Sequence, residues 1–260
     1  MVLCEEKLRQ LLGEEVPVLQ VLEETSSTNA LLKTSLDLPH GSVVIARRQT
    51  GGRGRLGRQF ASPEGGLYLS MLLKTRVPVE QQLHLTAMAA VAVRRGIATA
   101  CVISPQIKWL NDLLWGGKKL CGILAELCCV GETTAVILGV GINCNTRRAD
   151  FPAELRDSAC SLRQILGHEI DPNEPAAAVI RELRQMDRVL FSQKEAYLRE
   201  YAAACVTLGK AIRVLDPRGD YEALAVGIDP NGGLIVNLPD GSEKVISTGE
   251  VSIRSATGYA

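Results

Sequence analysis

Gly52-Arg53-Gly54-Arg55-Leu56-Gly57 decides between two architectures, because G-x-G-x-x-G after a strand is the dinucleotide fingerprint of a doubly wound parallel sheet. That fingerprint needs a helix opening at the loop, whose N-terminus holds the pyrophosphate. Here the chain continues Gln59-Phe60-Ala61-Ser62-Pro63-Glu64-Gly65-Gly66, which cannot make that helix, and no acidic residue ends a following strand at the expected distance. A kinase reading of the same glycines fails for want of H-R-D and D-F-G. Residues 51–66 are therefore a long loop inside a compact domain, a placement that usually serves function.

The flanks of the loop read as strands, with a β-branched run at Ser42 to Ala46 and Leu67, Leu69, Met71 and Leu73 alternating along the next segment. Upstream, Leu3 to Leu12 has helical spacing and stops at Gly13. Val18 to Leu22 is a strand, and Ser27-Thr28-Asn29 supplies caps for a second helix. Downstream, a helix is expected from Pro78 to about Ala100, a strand from Ile107, and two adjoining strands at Gly122 to Val130 and Thr133 to Val140. Helical periodicity returns from Ser158 to Cys205, broken near Asp171-Pro172. Helices and strands mix without strict alternation, so the expected class is α+β, a mixed sheet with flanking helices.

After Gly209 the pattern changes to short β segments punctuated by Asp216-Pro217-Arg218-Gly219, Asp229-Pro230-Asn231-Gly232-Gly233 and Pro239-Asp240-Gly241-Ser242 turns. The expected division is a main domain over 1–206 and a small barrel-like β domain over 207–260. A domain that small is near the lower limit of independent stability and leans on its neighbour.

With 29 basic and 29 acidic residues the formal charge is zero, which argues against a protein held to nucleic acid or a membrane surface by bulk charge. Apolar runs fall short of the roughly 20 residues of a membrane span. The acidic pair Glu5-Glu6 stands where a secretory leader would be basic, so a cytoplasmic location is expected. Cys4, Cys101, Cys121, Cys128, Cys129, Cys144, Cys160 and Cys205 form no C-x-x-C pair. They read as reduced residues among apolar neighbours, none of them catalytic.

Against that neutral background, Arg47, Arg48, Arg53, Arg55 and Arg58 stand with no acid between them. Such a loop can wrap an anion, or it can be a solvated basic loop. Lys108-Trp109-Leu110-Asn111-Asp112 offers a cation, an amide and a carboxylate, or only a turn. Lys118-Lys119 enters an apolar strand, or marks a solvated hairpin tip.

Taken in order, Ser27-Thr28-Asn29, Gln49 with Gly52 to Arg58, Lys108 to Asp112, Lys119-Leu120-Cys121-Gly122-Ile123-Leu124 and Gly139-Val140-Gly141-Ile142-Asn143 resemble bacterial biotin protein ligases over nearly the whole chain. Gly249-Glu250-Val251-Ser252-Ile253-Arg254 resembles that family's C-terminal SH3-like domain. The resemblance implies a biotin/lipoate ligase-like catalytic domain followed by a small SH3-like β-barrel. Two departures stand out. Leu110 replaces the family proline between Trp109 and Asn111, leaving that turn less rigid. About 25 residues precede Ser27, too few for the helix-turn-helix domain of repressor members, so no DNA-binding role is expected.

The implied reaction joins biotin to AMP as a mixed anhydride and then passes biotin to a lysine of a biotin carboxyl carrier protein or domain. It requires ATP with Mg²⁺ as a substrate complex, biotin as a substrate and no tightly bound cofactor. By resemblance, Lys119, Arg53, Arg55 and Arg58 are catalytic, stabilising charge at the α-phosphate. Ser27, Thr28, Asn29, Gln49, Arg53, Gly54, Arg55, Lys119 and Gly122 would meet biotin. Arg53, Arg55, Arg58, Trp109, Asn111, Asp112, Lys119 and Asn143 would meet the nucleotide, with Asp112 toward its metal. The glycine-rich loop would order over the anhydride and keep water out. The resemblance also allows a homodimer. A lipoate ligase shares the adenylation logic but carries a different glycine signature, and a non-catalytic biotin or adenylate sensor could dispense with Lys119 and the arginines.

Overall fold

The computed structural model describes residues 2–75, 82–130, 133–217, 219–255 and 258–259. The first elements follow the predicted order: α1 (Glu5–Leu12), β1 (Leu19–Thr25), α2 (Thr28–Lys33), β2 (Val43–Gln49) and β3 (Leu67–Thr75). Ser27 is the N-cap of α2, its side chain accepting from the Ala30 N–H. Next come α3 (Leu85–Cys101), β4 (Gln106–Lys108), β5 (Asp112–Trp115), β6 (Lys118–Val130) and β7 (Thr133–Ile142). The start predicted for α3, at Pro78, lies outside the described residues, as does the Gly131 expected to separate β6 from β7. Residues 83–84 form a turn ahead of the first residue of α3.

Strand β5 is an element that periodicity did not reveal. It is four residues long, and Gly116 (φ 55°) and Gly117 (φ 78°) return it directly into β6. Two consecutive positive φ angles make the tight hairpin turn that glycine permits. The helical stretch expected after Ser158, with its break near Asp171-Pro172, is three helices, α4 (Leu162–Leu166), α5 (Asn173–Arg188) and α6 (Lys194–Ala204), and α5 starts at that break. Gly167, with φ 79°, terminates α4, as a left-handed glycine commonly does.

The main sheet runs β1-β2-β3-β7-β6-β5-β4, with β1 and β2 parallel and the other pairs antiparallel. Alternation along the strands gives it two unlike faces. Val43, Ile45, Leu69, Met71, Ile123, Leu138 and Val140 join the large core with α1, α3, α5 and α6. Val44, Leu72, Ala135 and Ile137 pack with Leu32 of α2 in a smaller cluster. On that second face, further along the same strands, the side chains turn small or polar: Tyr68, Ser70, Gly122, Gly139 and Gly141. This change of composition opens room for a cavity.

The chain ends in a second sheet built from β8 (Ala211–Leu215), β9 (Tyr221–Ile228), β10 (Leu234–Asn237), β11 (Glu243–Ile246), β12 (Glu250–Ser255) and β13 (Gly258–Tyr259), in the order β11-β10-β9-β8-β12-β13. The fold is thus α+β, a mixed sheet with flanking helices followed by a small antiparallel β unit. Its apolar residues Ile212, Val214, Ala225, Leu234, Val236 and Val251 belong to the same continuous core as the main sheet. Trp109 fastens the two sheets. Its backbone N–H donates to Thr207 Oγ1 (3.0 Å) and its indole Nε1–H to the Gly232 carbonyl (3.0 Å). Among the described residues no helix is long and apolar enough to cross a membrane.

Candidate active site

A cavity of about 380 Å³ opens over the small-residue part of the sheet. Ser27, Thr28, Asn29, Gln49, Arg53, Gly54, Arg55, Arg58, Trp109, Asn111, Asp112, Lys119, Gly122 and Asn143, the residues singled out in the sequence, all line it. They come from α2 and its cap, β2, the arginine loop, the turn into β5 and its first residue, β6 and the residue after β7, so no short segment holds the site.

The arginine loop is itself folded. Gly54 N–H donates to the Arg58 carbonyl (2.8 Å), Phe60 N–H to Gly52 (2.9 Å), and Gln49 N–H to Ser62 (3.1 Å). Leu56 (φ 54°) and Gly57 (φ 76°) turn its tip. The crowding of like charges is relieved from elsewhere in the fold: Arg47 pairs with Glu23 (2.5 Å), Arg48 with Glu24 (2.9 Å) and Arg58 with Glu250 of β12 (2.6 Å). Arg55 lies half-buried with Nη1 3.4 Å from Asn111 Oδ1. Burial lowers the Arg55 pKa, opposed by the negative charges of Asp112 and Glu250; a guanidinium still stays charged at neutral pH.

A second cation meets this group. Lys119 Nζ lies 2.8 Å from Asp112 Oδ1 at an angle that makes no hydrogen bond, and 5.6 Å from the centre of the Phe60 ring. Asn111 anchors the neighbouring turn by donating Nδ2–H to the Ile123 carbonyl (2.8 Å). The Trp109–Leu110 peptide, where Leu110 stands, is cis, and Tyr201 of α6 donates its hydroxyl to the Leu110 carbonyl (3.0 Å). Asn143 donates to the carbonyls of Cys160 (2.9 Å) and Lys119 (3.3 Å), so its amide nitrogen holds the cavity wall together. Among the described residues no cluster of three or more histidines, cysteines or carboxylates could hold a metal ion.

The uncharged part of the lining is a connected hydrogen-bond chain. Gln49 Oε1 accepts the Thr28 N–H (2.8 Å), with the Thr28 hydroxyl 3.1 Å away. Gln49 Nε2 donates to Ser62 Oγ (3.0 Å), which donates to the Phe60 carbonyl (2.9 Å). On the other side Ser70 Oγ lies 2.7 Å from Thr28 Oγ1 and 2.5 Å from Asn29 Oδ1, and Asn29 Nδ2 donates to Glu126 Oε2 (2.8 Å). Glu126 Oε1 also receives Lys33 Nζ (2.5 Å). Burial alone would raise the Glu126 carboxyl; the bonds from Lys33 and Asn29 outweigh it and hold the group below its usual range.

Sequence reasoning missed Phe60, Ser70, Glu126 and Tyr201. The ring of Phe60 lies over two glycines: a Cβ at Gly141 would come within 2.6 Å of it, and one at Gly122 within 2.9 Å. Ser70 in Leu67-Tyr68-Leu69-Ser70-Met71 and Glu126 in Leu124-Ala125-Glu126-Leu127 were detectable as polar residues inside apolar strands, since a buried polar group demands partners. Nothing local distinguishes Tyr201, which reaches the site from a helix in the other layer.

The arrangement can hold a ligand with an uncharged hydrogen-bonding group at one part and anionic groups at another. None of the buried thiols is poised to react: burial raises Cys101 and Cys160 to about 11, and raises Cys121 and Cys144 further still.

Comparison with known proteins adds an independent line. Residues 21–143 match the model of the biotin/lipoate A/B protein ligase family, and residues 207–254 match the biotin protein ligase C terminal domain. A bifunctional ligase/repressor BirA of Bacillus subtilis is 36% identical over 248 residues, covering 92% of this chain and 74% of that protein. A biotin--[acetyl-CoA-carboxylase] ligase of Mycobacterium tuberculosis is 34% identical over 243 residues, covering 90% and 88%. Among solved structures, the biotin protein ligase from Aquifex aeolicus in complex with biotin and ATP superposes with a TM-score of 0.78 at 30% identity, covering 92% of this chain and 99% of that one.

Proposed function

We propose, on the premise that the chain belongs to the biotin/lipoate A/B protein ligase family, that this ligase makes biotinyl-5′-AMP and transfers biotin to a lysine of a carboxylase carrier protein or domain. The carrying observation is that one cavity is lined both by the neutral chain of Ser27, Thr28 and Gln49 and by the cations Arg53, Arg55, Arg58 and Lys119.

Biotin combines an uncharged ureido ring, an apolar tail and a carboxylate, and that lining matches it part by part. The ureido ring sits at Ser27, Thr28 and Gln49, beside Phe60, with Asn29 behind them as a support. Backbone at Arg53, Gly54 and Gly122 completes the wall. In the first step a biotin carboxylate oxygen attacks the α-phosphorus of ATP, and the bond to the β-phosphate breaks to release pyrophosphate. Two anions must approach, so fixed positive charge lowers the barrier, and Arg53, Arg55, Arg58 and Lys119 supply it.

Mg²⁺ arrives with the nucleotide, held largely by phosphate oxygens. Asp112 is the carboxylate that would meet it, and Trp109, Asn111 and Asn143 border the nucleotide. In the second step the neutral carrier amine attacks the acyl carbon, the C–O bond to AMP breaks with its electron pair on AMP, and the amine proton passes to solvent. No residue of the chain becomes covalently attached.

The main unit spans 1–206 and the β unit 207–260 in this reading, which places the enzyme in the cytoplasm and allows a homodimer. It includes no repressor activity; specific retention of DNA in a gel-shift assay would contradict that. The test of the enzyme reading is transfer of labelled biotin to a purified carboxyl-carrier domain with ATP and Mg²⁺. ATP-dependent labelling supports it. Biotin binding without labelling points to a sensor, and labelling by lipoate instead of biotin points to the sister activity.

A further inference from the structure

Phe151, Leu155 and Ala159 line the cavity from one segment between β7 and α4, and Ala159 bridges to Lys119. We infer that Arg156 is a positioning residue for the nucleotide: its guanidinium braces this segment, so that Phe151 and Leu155 stand as the apolar wall against which the base of ATP packs.

The segment lacks the main-chain bonds to brace itself. It holds two short 3-10 turns, Arg148–Asp150 and Ala153–Leu155, and between them Phe151 (φ −73°, ψ 144°) and Pro152 (φ −47°, ψ 144°) run extended. A 3-10 turn bonds each carbonyl to the N–H three residues on. The residue that the Ala149 carbonyl would need is Pro152, which has no N–H. Arg156 supplies the donors instead: its Nε–H goes to the Phe151 carbonyl (3.1 Å) and its Nη2–H to the Ala149 carbonyl (3.2 Å). A guanidinium carries its donors in a fixed plane, so the two bonds together set the second turn against the first. Phe151, between the turns, is 3% exposed.

The braced segment is tied to the strand that carries Lys119. The Lys119 N–H donates to the Ser158 carbonyl (2.8 Å), and the Cys160 N–H donates to the Lys119 carbonyl (2.9 Å). The inference rests on the ligase reading, in which the neutral chain takes the ureido ring and the cations take phosphate. A purine has flat apolar faces, and Phe151, Leu155 and Ala159 offer it an apolar surface beside the lysine that meets the α-phosphate. The bonds of Arg156 reach only five and seven residues along the chain, so they shape this wall without carrying the global fold.

Arg156 is also a charge, and two substitutions separate bracing from attraction. Arg156→Ala removes both. Arg156→Lys keeps the charge, but an ammonium on a flexible stem does not reproduce the planar fork that spans two carbonyls.

The experiment is biotin-dependent exchange of labelled pyrophosphate into ATP by the full chain, with the KM of each substrate and the thermal midpoint recorded. Two inhibitors are added in turn: adenosine, which has the base and no phosphate, and tripolyphosphate, which has phosphates and no base. Both variants should raise the ATP KM by roughly ten- to fifty-fold, the size of one or two charge-assisted hydrogen bonds, and weaken adenosine inhibition by a similar factor. Biotin KM, tripolyphosphate inhibition and thermal midpoint should stay near those of the intact protein. An unchanged ATP KM, full activity in R156K, or equal weakening of adenosine and tripolyphosphate overturns the inference while leaving the ligase reading standing. Equal rises in both KM values with a fallen midpoint also overturn it, by assigning Arg156 to the fold alone. Absence of biotin-dependent exchange in the intact protein overturns the ligase reading and this inference with it.

Discussion

Lys119 Nζ and Asp112 Oδ1, 2.8 Å apart on β6 and β5, form the ion pair that links the cations lining the cavity to the turn carrying Asn111. The pair is partly exposed, 37% and 23% at the side chains, so solvent screens it and its contribution to stability is small. Lys119→Ala should therefore leave the thermal midpoint close to that of the intact protein. Its cost should fall on chemistry: a loss of about 10²- to 10³-fold in kcat for pyrophosphate exchange, as for removal of one charge-stabilising group. A large fall in midpoint with kcat retained would assign Lys119 to structure instead.

Tyr201 bears on the same turn from the opposite layer. Tyr201→Phe removes only the hydroxyl that serves the Leu110 carbonyl. Losing that partner should cost about 1–3 kcal/mol in urea unfolding and raise the KM for ATP more than the KM for biotin, because Asn111 and Asp112 follow Leu110 directly. Equal KM values in variant and intact protein would show that the turn holds its shape without Tyr201.

His84 makes the fold sensitive to mild acid. It is 1% exposed; burial lowers its pKa, only partly offset by the bond between its Nε2 and the Leu190 carbonyl. A lowered folded pKa means that unfolding takes up a proton. The full contribution is therefore present above the unfolded value of 6.5 and is lost as pH falls from there toward the lowered folded value. The urea midpoint should fall between pH 7.5 and pH 5.5, and His84→Phe should flatten that slope. An unchanged slope in the variant would show that His84 is not its cause.

The thiols divide by exposure. Cys4 and Cys129 are exposed, whereas Cys101, Cys121, Cys144, Cys160 and Cys205 are buried and burial raises the pKa of each. Brief treatment with iodoacetamide at pH 7 should modify the exposed pair, seen by peptide mass, and leave pyrophosphate exchange intact. Loss of activity in step with modification of either would contradict a reaction that uses no protein nucleophile.

The sequence by itself determined what local chemistry dictates. Glycine spacing and the residues after Gly57 excluded a helix at the arginine loop, the Ser27 cap placed α2, and alternation along Leu67 to Leu73 placed β3. The turn residues after Gly209 marked the second sheet. The same local signals assembled the ordered motifs whose residues line one cavity. Tertiary structure decided what depends on contacts distant in sequence. A four-residue strand such as β5 has too few residues to show a period, and only its pairing with β4 and β6 makes it a strand. Tyr201 at Leu110, Glu250 at Arg58 and Glu126 at Asn29 are contacts across 91, 192 and 97 residues. Their partners are chosen by the packing of layers rather than by any neighbour in the chain. The orientation of a buried amide depends on those distant partners, because inside the protein each donor must find an acceptor and water is not there to substitute.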